Sequence, residues 1–438
     1  MTRIRTLIPK FDWIGPFIGI AAIATLIAAP ALADDDTPDT PDTPGATTDP
    51  VAPAPQSVIL IDQVQLNNVI ANLDVEIEDF AKQASVTSTA VANTASGFVD
   101  AGDMDLDIRQ SQDGTVSAIG ILDGGSTRQA GVTTTAYGNS STGGSWSGNT
   151  NYISSQITEG KIEAGTIVDL DETRKLTAAT TGIANVSIPA SENGNLNASI
   201  LQESKDSVET TMDVDIDLVT HAATIANTAG GNSVSNSGST TTNISSIDQR
   251  TDPGNLIEAS TDIYIREGRN ILGTTTAFGN STTVHNEWGY ASLGQSGDSL
   301  RQMNGSDIDS QTYVTLDHWT GSATSNAYGV GNAATISNVG SDTALYASQT
   351  NFGTVYTSAN FTGTSPDGNA IASATSIGNA ATATLCATCG DAALTGQTLQ
   401  YNGANILANT TATVGFAGNI HGAATAVGNA ATYQSNGD

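Results

Sequence analysis

Apolar and polar residues alternate with a period of two along much of the chain. Residues 74–78, 103–108, 169–171, 213–217 and 307–309 place Asp or Glu at every second position, with Val, Ile, Leu or Met between them. This alternation predicts β-strands with one face in a core and the other in water. Glycine-rich turns such as residues 123–125 separate the alternating segments, and helical periodicity is nearly absent. We therefore expect an all-β protein.

A short motif, in which an apolar residue stands two positions before an asparagine, recurs along this β-rich region. Thr, Ser or Ala runs surround most copies, and successive asparagines are 42 to 53 residues apart. Repeats of this length are typical of stacked or radial architectures. The asparagines of the eight copies are Asn93, Asn139, Asn185, Asn227, Asn280, Asn332, Asn379 and Asn429.

A glutamine follows most of these asparagines after roughly 17 to 22 residues. Stacked in register, such amides hydrogen-bond from one layer to the next, so we predict that both series are structural ladders. Direct contact with a ligand is the alternative. The glutamine series is Gln112, Gln156, Gln202, Gln249, Gln295 or Gln302, Gln349, and Gln397 or Gln400.

The repeat favours an elongated β-solenoid of about eight units near 47 residues each. One unit is too small and too rich in alanine to bury a core alone, whereas stacked units bury a continuous one. With two coils per unit and about 4.8 Å per layer, the rod would be about 75 Å long. A propeller of four-stranded blades is the competing architecture, but blades usually need bulkier apolar packing.

The N-terminal region predicts export. Basic residues precede an apolar run that ends in Ala31-Leu32-Ala33, so we expect residues 1–33 to be a signal peptide. A retained membrane anchor is the weaker alternative because Pro16 interrupts the run. Residues 34–56 are rich in Pro, Thr and Asp, which predicts a disordered linker. The repetitive solenoid domain then spans residues 57–438.

The charge balance limits the partners. Forty-four acidic residues against 14 basic ones give a net charge of −30, and no Lys or Arg follows Arg301. Nucleic acid and anionic lipid are poor partners for such a surface. Stacked carboxylates repel unless they are spread out or neutralised. We expect solvated acidic faces and no cofactor, with weak calcium binding as an alternative hypothesis.

Residues suited to catalysis are scarce. Cys386 and Cys389 form a C-x-x-C motif without a thioredoxin-like context, and we expect a local disulfide. The four histidines form no metal motif. Acidic pairs such as Asp103 with Asp105, or Asp213 with Asp215, would suit a polysaccharide-active β-helix enzyme, but they belong to the repeated alternation. We therefore predict no catalytic, cofactor-binding or metal residues.

Aromatic side chains offer a different chemistry, because rings stack on the apolar faces of sugars. Carbohydrate contact is one interpretation of these residues, and packing at the ends and corners of a thin core is the favoured one. The candidates are Trp146, Trp288, Trp319, Tyr290 and Tyr313.

Segments 276–280 (Thr-Ala-Phe-Gly-Asn) and 375–380 (Thr-Ser-Ile-Gly-Asn-Ala) recur along the mature chain, which resembles the holdfast anchor proteins of stalked alphaproteobacteria. These proteins attach an adhesive polysaccharide to the cell pole. Residues 400–405 also look like the Gln-x-x-Gly-x-Asn segments of curlin fibre subunits, although the spacing near 47 is about twice a curlin repeat. The resemblance covers most of the mature chain through motifs of low complexity.

The resemblance implies a non-enzymatic anchor at the outer membrane or cell surface, near the pole. Its implied partners are a curlin-like subunit, an outer-membrane lipoprotein and the polysaccharide adhesin. Two alternatives stay open from the residues themselves. One is a self-associating, functional-amyloid-like matrix subunit, which amide ladders and uncapped ends permit. The other is the polysaccharide-active enzyme.

Overall fold

The computed structural model describes residues 57–365, 368–387 and 392–437. The predicted signal peptide and linker, and with them Cys389, lie outside these residues. The described part of the chain contains strands and turns but no helix, and therefore no helix that is long and apolar enough to cross a membrane.

Twenty strands form two parallel sheets, one of 9 strands and one of 11 strands. In chain order they are β1 (Ser57–Gln65), β2 (Val69–Ala81), β3 (Ala84–Val99), β4 (Met104–Gln112), β5 (Val116–Ser145), β6 (Thr150–Thr158), β7 (Ile162–Glu192), β8 (Asn195–Ser204), β9 (Val208–Ser239), β10 (Thr242–Thr251), β11 (Leu256–Glu287), β12 (Ala291–Leu293), β13 (Leu300–Asn304), β14 (Asp307–Val339), β15 (Thr343–Asn351), β16 (Val355–Gly363), β17 (Gly368–Ala387), β18 (Leu394–Asn402), β19 (Ile406–Val414) and β20 (Asn419–Gly437).

Most layers of the fold combine one short strand with one long strand that bends back on itself. In the first layer and in the last two, the long strand is divided at the bend into β2 and β3, β16 and β17, and β19 and β20. In the sixth layer, β12 and β13 together take the place of the short strand. Within β7, Thr180 donates its hydroxyl hydrogen to Thr166 Oγ1 at 2.6 Å, so the two halves of this strand face each other. Farther along β7, the carbonyl of Val186 accepts a hydrogen bond from Gln156 of β6 at 2.9 Å. The second half of the long strand therefore forms one wall, and the short strand and the first half together form the opposite wall.

One repeat unit closes one coil. Ser57 of β1 pairs with Met104 of β4, and Met104 pairs with Thr150 of β6, so each step between layers consumes one unit of sequence. The expectation of two coils per unit is wrong, because the long strand supplies walls on both sides of the interior. The described residues stack in eight such layers, which at about 4.8 Å per layer span about 34 Å.

Apolar and polar columns alternate across the interior. One apolar column lies beside the bend of the long strands and includes Leu122 and Val132, and another lies against the short strands and includes Ile108. A third column, rich in alanine, runs between them and includes Ala118 and Ala136. Because each column is continuous through the layers, stacking buries apolar area that a single unit would expose.

Glycine makes room for the few bulky rings of this thin core. A Cβ on Gly230 would lie 2.2 Å from Cζ of Phe278, and a Cβ on Gly368 would lie 2.1 Å from Nε1 of Trp319. Trp319 is 2% exposed and packs edge-on against Phe361, with ring centroids 5.1 Å apart. Larger residues at these glycines would displace the rings.

The first and last layers have a neighbour on one side only within the described chain. Large apolar side chains are exposed in both layers, most of them at outward-facing positions of their strands, while Ile420 of the last layer pairs in register with buried Ala370. They include Val58, Leu60, Val64, Ile70, Phe80 and Phe98 in the first layer, and Leu399, Tyr401, Leu407, Phe416 and Ile420 in the last.

Candidate functional site: amide ladders, an acidic wall and open end layers

A continuous asparagine column runs through the interior. The side-chain amide of each member donates to Oδ1 of the next member, always toward the C-terminal layer. The six members with a layer on both sides are 0% exposed, and Asn93 in the first layer is 5% exposed. The bonds are 2.7 to 2.9 Å long. The column contains Asn93, Asn139, Asn185, Asn232, Asn280, Asn332, Asn379 and Asn429.

Asn232 occupies the place that the sequence motif assigned to Asn227. Asn227 pairs in register with Thr180 and Thr275, in the threonine column nearer the bend. Its amide donates to the carbonyls of Thr210 and Ser260. The prediction for Asn227 is wrong because two asparagines follow similar Thr/Ala runs within β9. The 42- and 53-residue intervals on either side of Asn227 were the signal, since Asn232 gives intervals of 47 and 48.

A glutamine column runs beside the asparagines with the opposite polarity. Each side-chain amide donates to Oε1 of the preceding member, toward the N-terminal layer, at 2.7 to 2.9 Å. Gln302 and Gln400, rather than Gln295 and Gln397, are the members of their layers. The column contains Gln63, Gln110, Gln156, Gln202, Gln249, Gln302, Gln349 and Gln400.

Gln110 takes the position that the sequence assigned to Gln112. Gln112 is fully buried two residues farther along β4, and neither its side-chain nitrogen nor its oxygen has a hydrogen-bond partner in the described structure. It lies in the second layer of a third polar column, which begins at Gln65 and ends in Asn304, Asn351 and Asn402, the last three joined by bonds of 2.7 and 2.8 Å. Sequence reasoning missed this column, although the repeated Gln-x-Asn spacing in its last three layers marks it.

The asparagine and glutamine columns also tie the two walls together. Asn139 donates to the carbonyl of Ile157 at 3.0 Å, and Gln156 donates to the carbonyl of Val186 at 2.9 Å. These two amides therefore each satisfy a main-chain acceptor on the opposite wall as well as a neighbour in the column. Buried polar groups satisfied in this way fix the register of the layers, because a slip would leave them unpaired.

Carboxylates of successive layers line the outer surface of the first half of the long strands, a surface that we call the acidic wall. Glu163, Glu209, Glu258 and Asp309 form one in-register column, and Asp123, Asp169 and Asp215 form another. Lys161 pairs with Glu163 at 2.8 Å and with Glu209 at 2.7 Å.

Burial and mutual repulsion raise the pKa of several carboxylates of the acidic wall. Burial raises the pKa of Glu258, and the charges of Asp309 and Glu209 raise it further. Burial also raises the pKa of Asp309, against a hydrogen bond from Gln311. Asp169 shows the same direction, through burial and then the charge of Asp215. The wall therefore holds its negative charge at a cost, which a cationic partner would reduce.

The other candidate chemistry does not converge on a site. No group of His, Cys, Asp and Glu suited to a metal ion occurs among the described residues. Asp103 accepts hydrogen bonds from the main-chain and side-chain nitrogens of Asn149. Asp213 and Asp215 are exposed on the acidic wall. Cys386 is half-buried, and its predicted disulfide to Cys389 falls outside the described residues.

The aromatic candidates divide into two groups. Trp319 is buried in the core, so carbohydrate contact is excluded for this ring in the folded chain. Trp146 and Trp288 are 55% and 51% exposed at turns, and Tyr290 and Tyr313 are 39% and 37% exposed. Tyr313 lies on the acidic wall, in register with Asp262. Exposed rings beside carboxylates are the groups on this surface that suit a sugar.

Comparison with known families decides where this architecture belongs. The family model described as holdfast attachment protein D matches residues 78–355, which is more than half of the chain. The chain belongs to the holdfast attachment protein D family. No curated protein and no solved structure matches the chain. The same layered fold continues beyond the matched range, through the last strands at residues 394–437. Family membership supports a role in holdfast attachment and agrees with a non-enzymatic, envelope-associated protein.

Proposed function

We propose that the chain is a non-enzymatic anchor that holds an adhesive polysaccharide to the outer surface of the cell envelope, at the pole. The match to the holdfast attachment family carries this proposal. The fold supports it, because hydrogen bonds between the two walls connect the eight layers into a rigid body. Its carboxylates and exposed rings lie on the outer surface of that body. Curlin-like and lipoprotein partners in the outer membrane are part of the same proposal.

The acidic wall is the surface that we assign to the polysaccharide. It is continuous over successive layers, and it combines carboxylates with exposed rings such as Tyr264 and Tyr313. Its charge repels acidic sugars, so the proposal commits to a neutral or amino-sugar polymer. Multiple weak contacts along such a polymer would add to a strong attachment.

The proposed test neutralises the wall without disturbing the core. Asp213 and Asp215 are exposed, so a D213N/D215N variant should fold normally. In cells that lack the native protein, this variant should reach the envelope but retain less adhesive under flow than the unsubstituted chain. An exposed acidic residue away from the wall, Asp100, provides the control variant D100N. Equal retention by all three chains would exclude the acidic wall as the binding surface.

A further inference from the structure

The last layer ends the polar columns with unused hydrogen-bonding groups. Asn429 accepts a bond from Asn379, but its own amide donates to no group in the described chain. Gln400 donates to Gln349 and to the carbonyl of Ala430, which leaves its Oε1 facing the open end. Asn402 donates one amide hydrogen to the carbonyl of Ala404 and keeps the second. The last layer thus offers a donor at Asn429, an acceptor at Gln400 and a donor at Asn402.

The first layer presents the opposite set. Asn93 donates to Asn139 and Ser111, while its Oδ1 accepts no bond from the described residues. Gln63 donates one amide hydrogen to the carbonyl of Thr94, whereas each later glutamine of the column donates two bonds. Gln65 donates to the carbonyl of Asn67, and its Oε1 is unused in the described chain. The first layer thus offers an acceptor at Asn93, a donor at Gln63 and an acceptor at Gln65.

We propose that a second copy of the chain stacks head to tail, with its first layer on the last layer of its neighbour. Continuing the observed register places Gln400 against Gln63, Asn402 against Gln65 and Asn429 against Asn93 of the next copy. Every column would continue with its own polarity. The inference goes beyond the anchoring role and does not depend on it.

The main chain and the apolar side chains fit the same arrangement. The last layer exposes strand edges of 9, 9 and 19 residues, and the first layer exposes edges of 9, 13 and 16 residues in the same order. Open edges of this kind add a further strand readily. Half-buried Ile59 and Ile61 of the first layer would gain cover, as would half-buried Leu394 and Ile406 of the last layer.

Charge selects head-to-tail stacking over the other two arrangements. Residues 392–437 contain no Asp, Glu, Lys or Arg, whereas the first layer carries Asp62, Asp74, Glu76 and Glu78. Two first layers would therefore oppose carboxylates, and two last layers would lose the match of donors with acceptors. Only the head-to-tail junction sets an acidic edge against a neutral one.

A charge swap at the junction tests this register. Exposed Thr413 ends the column that begins at exposed Glu76, so the two positions meet across the proposed junction. We expect sedimentation velocity of the exported chain at low salt to show association that increases with concentration. T413E should weaken this association about threefold, because like charges then face each other across adjacent strands.

Two further variants make the test specific. Adding E76K to T413E should restore association, since opposite charges then meet. T362E places the same new charge in the same column, one layer inside the end, and should leave association near that of the unsubstituted chain. A single monomeric species at every concentration would overturn the proposal. So would association that T413E does not weaken, or that E76K does not restore.

Discussion

At the scale of a single residue, Asn232 shows the contacts that define the asparagine column. Its amide donates to Asn280 and to the carbonyl of Arg250, and its Oδ1 accepts from Asn185. Asn232→Ala would leave those buried groups unpaired, so we expect a loss of about 2–3 kcal/mol in the free energy of unfolding. Chemical denaturation measures it. Asn197→Ala, at an exposed position of β8, is the matched control and should change stability by less than about 0.5 kcal/mol. Equal effects of the two substitutions would contradict a ladder role for Asn232.

Also at the scale of a single residue, Glu258 of the acidic wall makes the stability of the fold depend on pH. Its pKa in the folded chain is raised above the ordinary value of 4.5, so the folded chain binds the proton more readily than the unfolded chain does. Stability should therefore rise as the pH falls from neutral through the raised pKa, and the gain should be complete below about 4.5. Glu258→Gln should raise the melting temperature at pH 7 and reduce its rise on acidification. A variant that melts at the wild-type temperature at pH 7 would show that Glu258 carries no such cost.

The bend of β14 shows how one element depends on its neighbours. Trp319 fills the space that Gly368 leaves and donates from Nε1 to the carbonyl of Asn369 at 3.3 Å. Trp319→Ala should cost about 3–5 kcal/mol through lost burial and the remaining cavity. Trp146→Ala, at an exposed turn, is the control for removing an indole. If both substitutions shift the denaturation midpoint equally, Trp319 does not support the core in the way that its burial implies.

The elements also show which parts of the fold could be predicted from sequence. Period-2 alternation identifies strands, and the recurring Asn identifies the repeat, because both patterns depend on local spacing alone. The number of coils per unit depends on where the long strands bend back. Because small residues line both walls, the local sequence does not show the position of this bend. The confusion of Asn227 with Asn232 has the same origin, since nearby Thr/Ala runs look alike until register is known. Of the candidate binding surface, the alternating carboxylates were visible, but their alignment into in-register columns required the pairing of whole strands.

At the scale of the whole molecule, the central claim is that this chain anchors an adhesive to the cell. The most direct measurement combines a deletion of the gene with a tagged copy in the source bacterium, and images both the protein and the adhesive on cells held under flow. We predict a polar, surface-exposed tag, and deletion cells that make adhesive but shed it. Normal retention in the deletion strain, with the tagged protein secreted diffusely, would contradict the anchoring role and favour a matrix subunit instead.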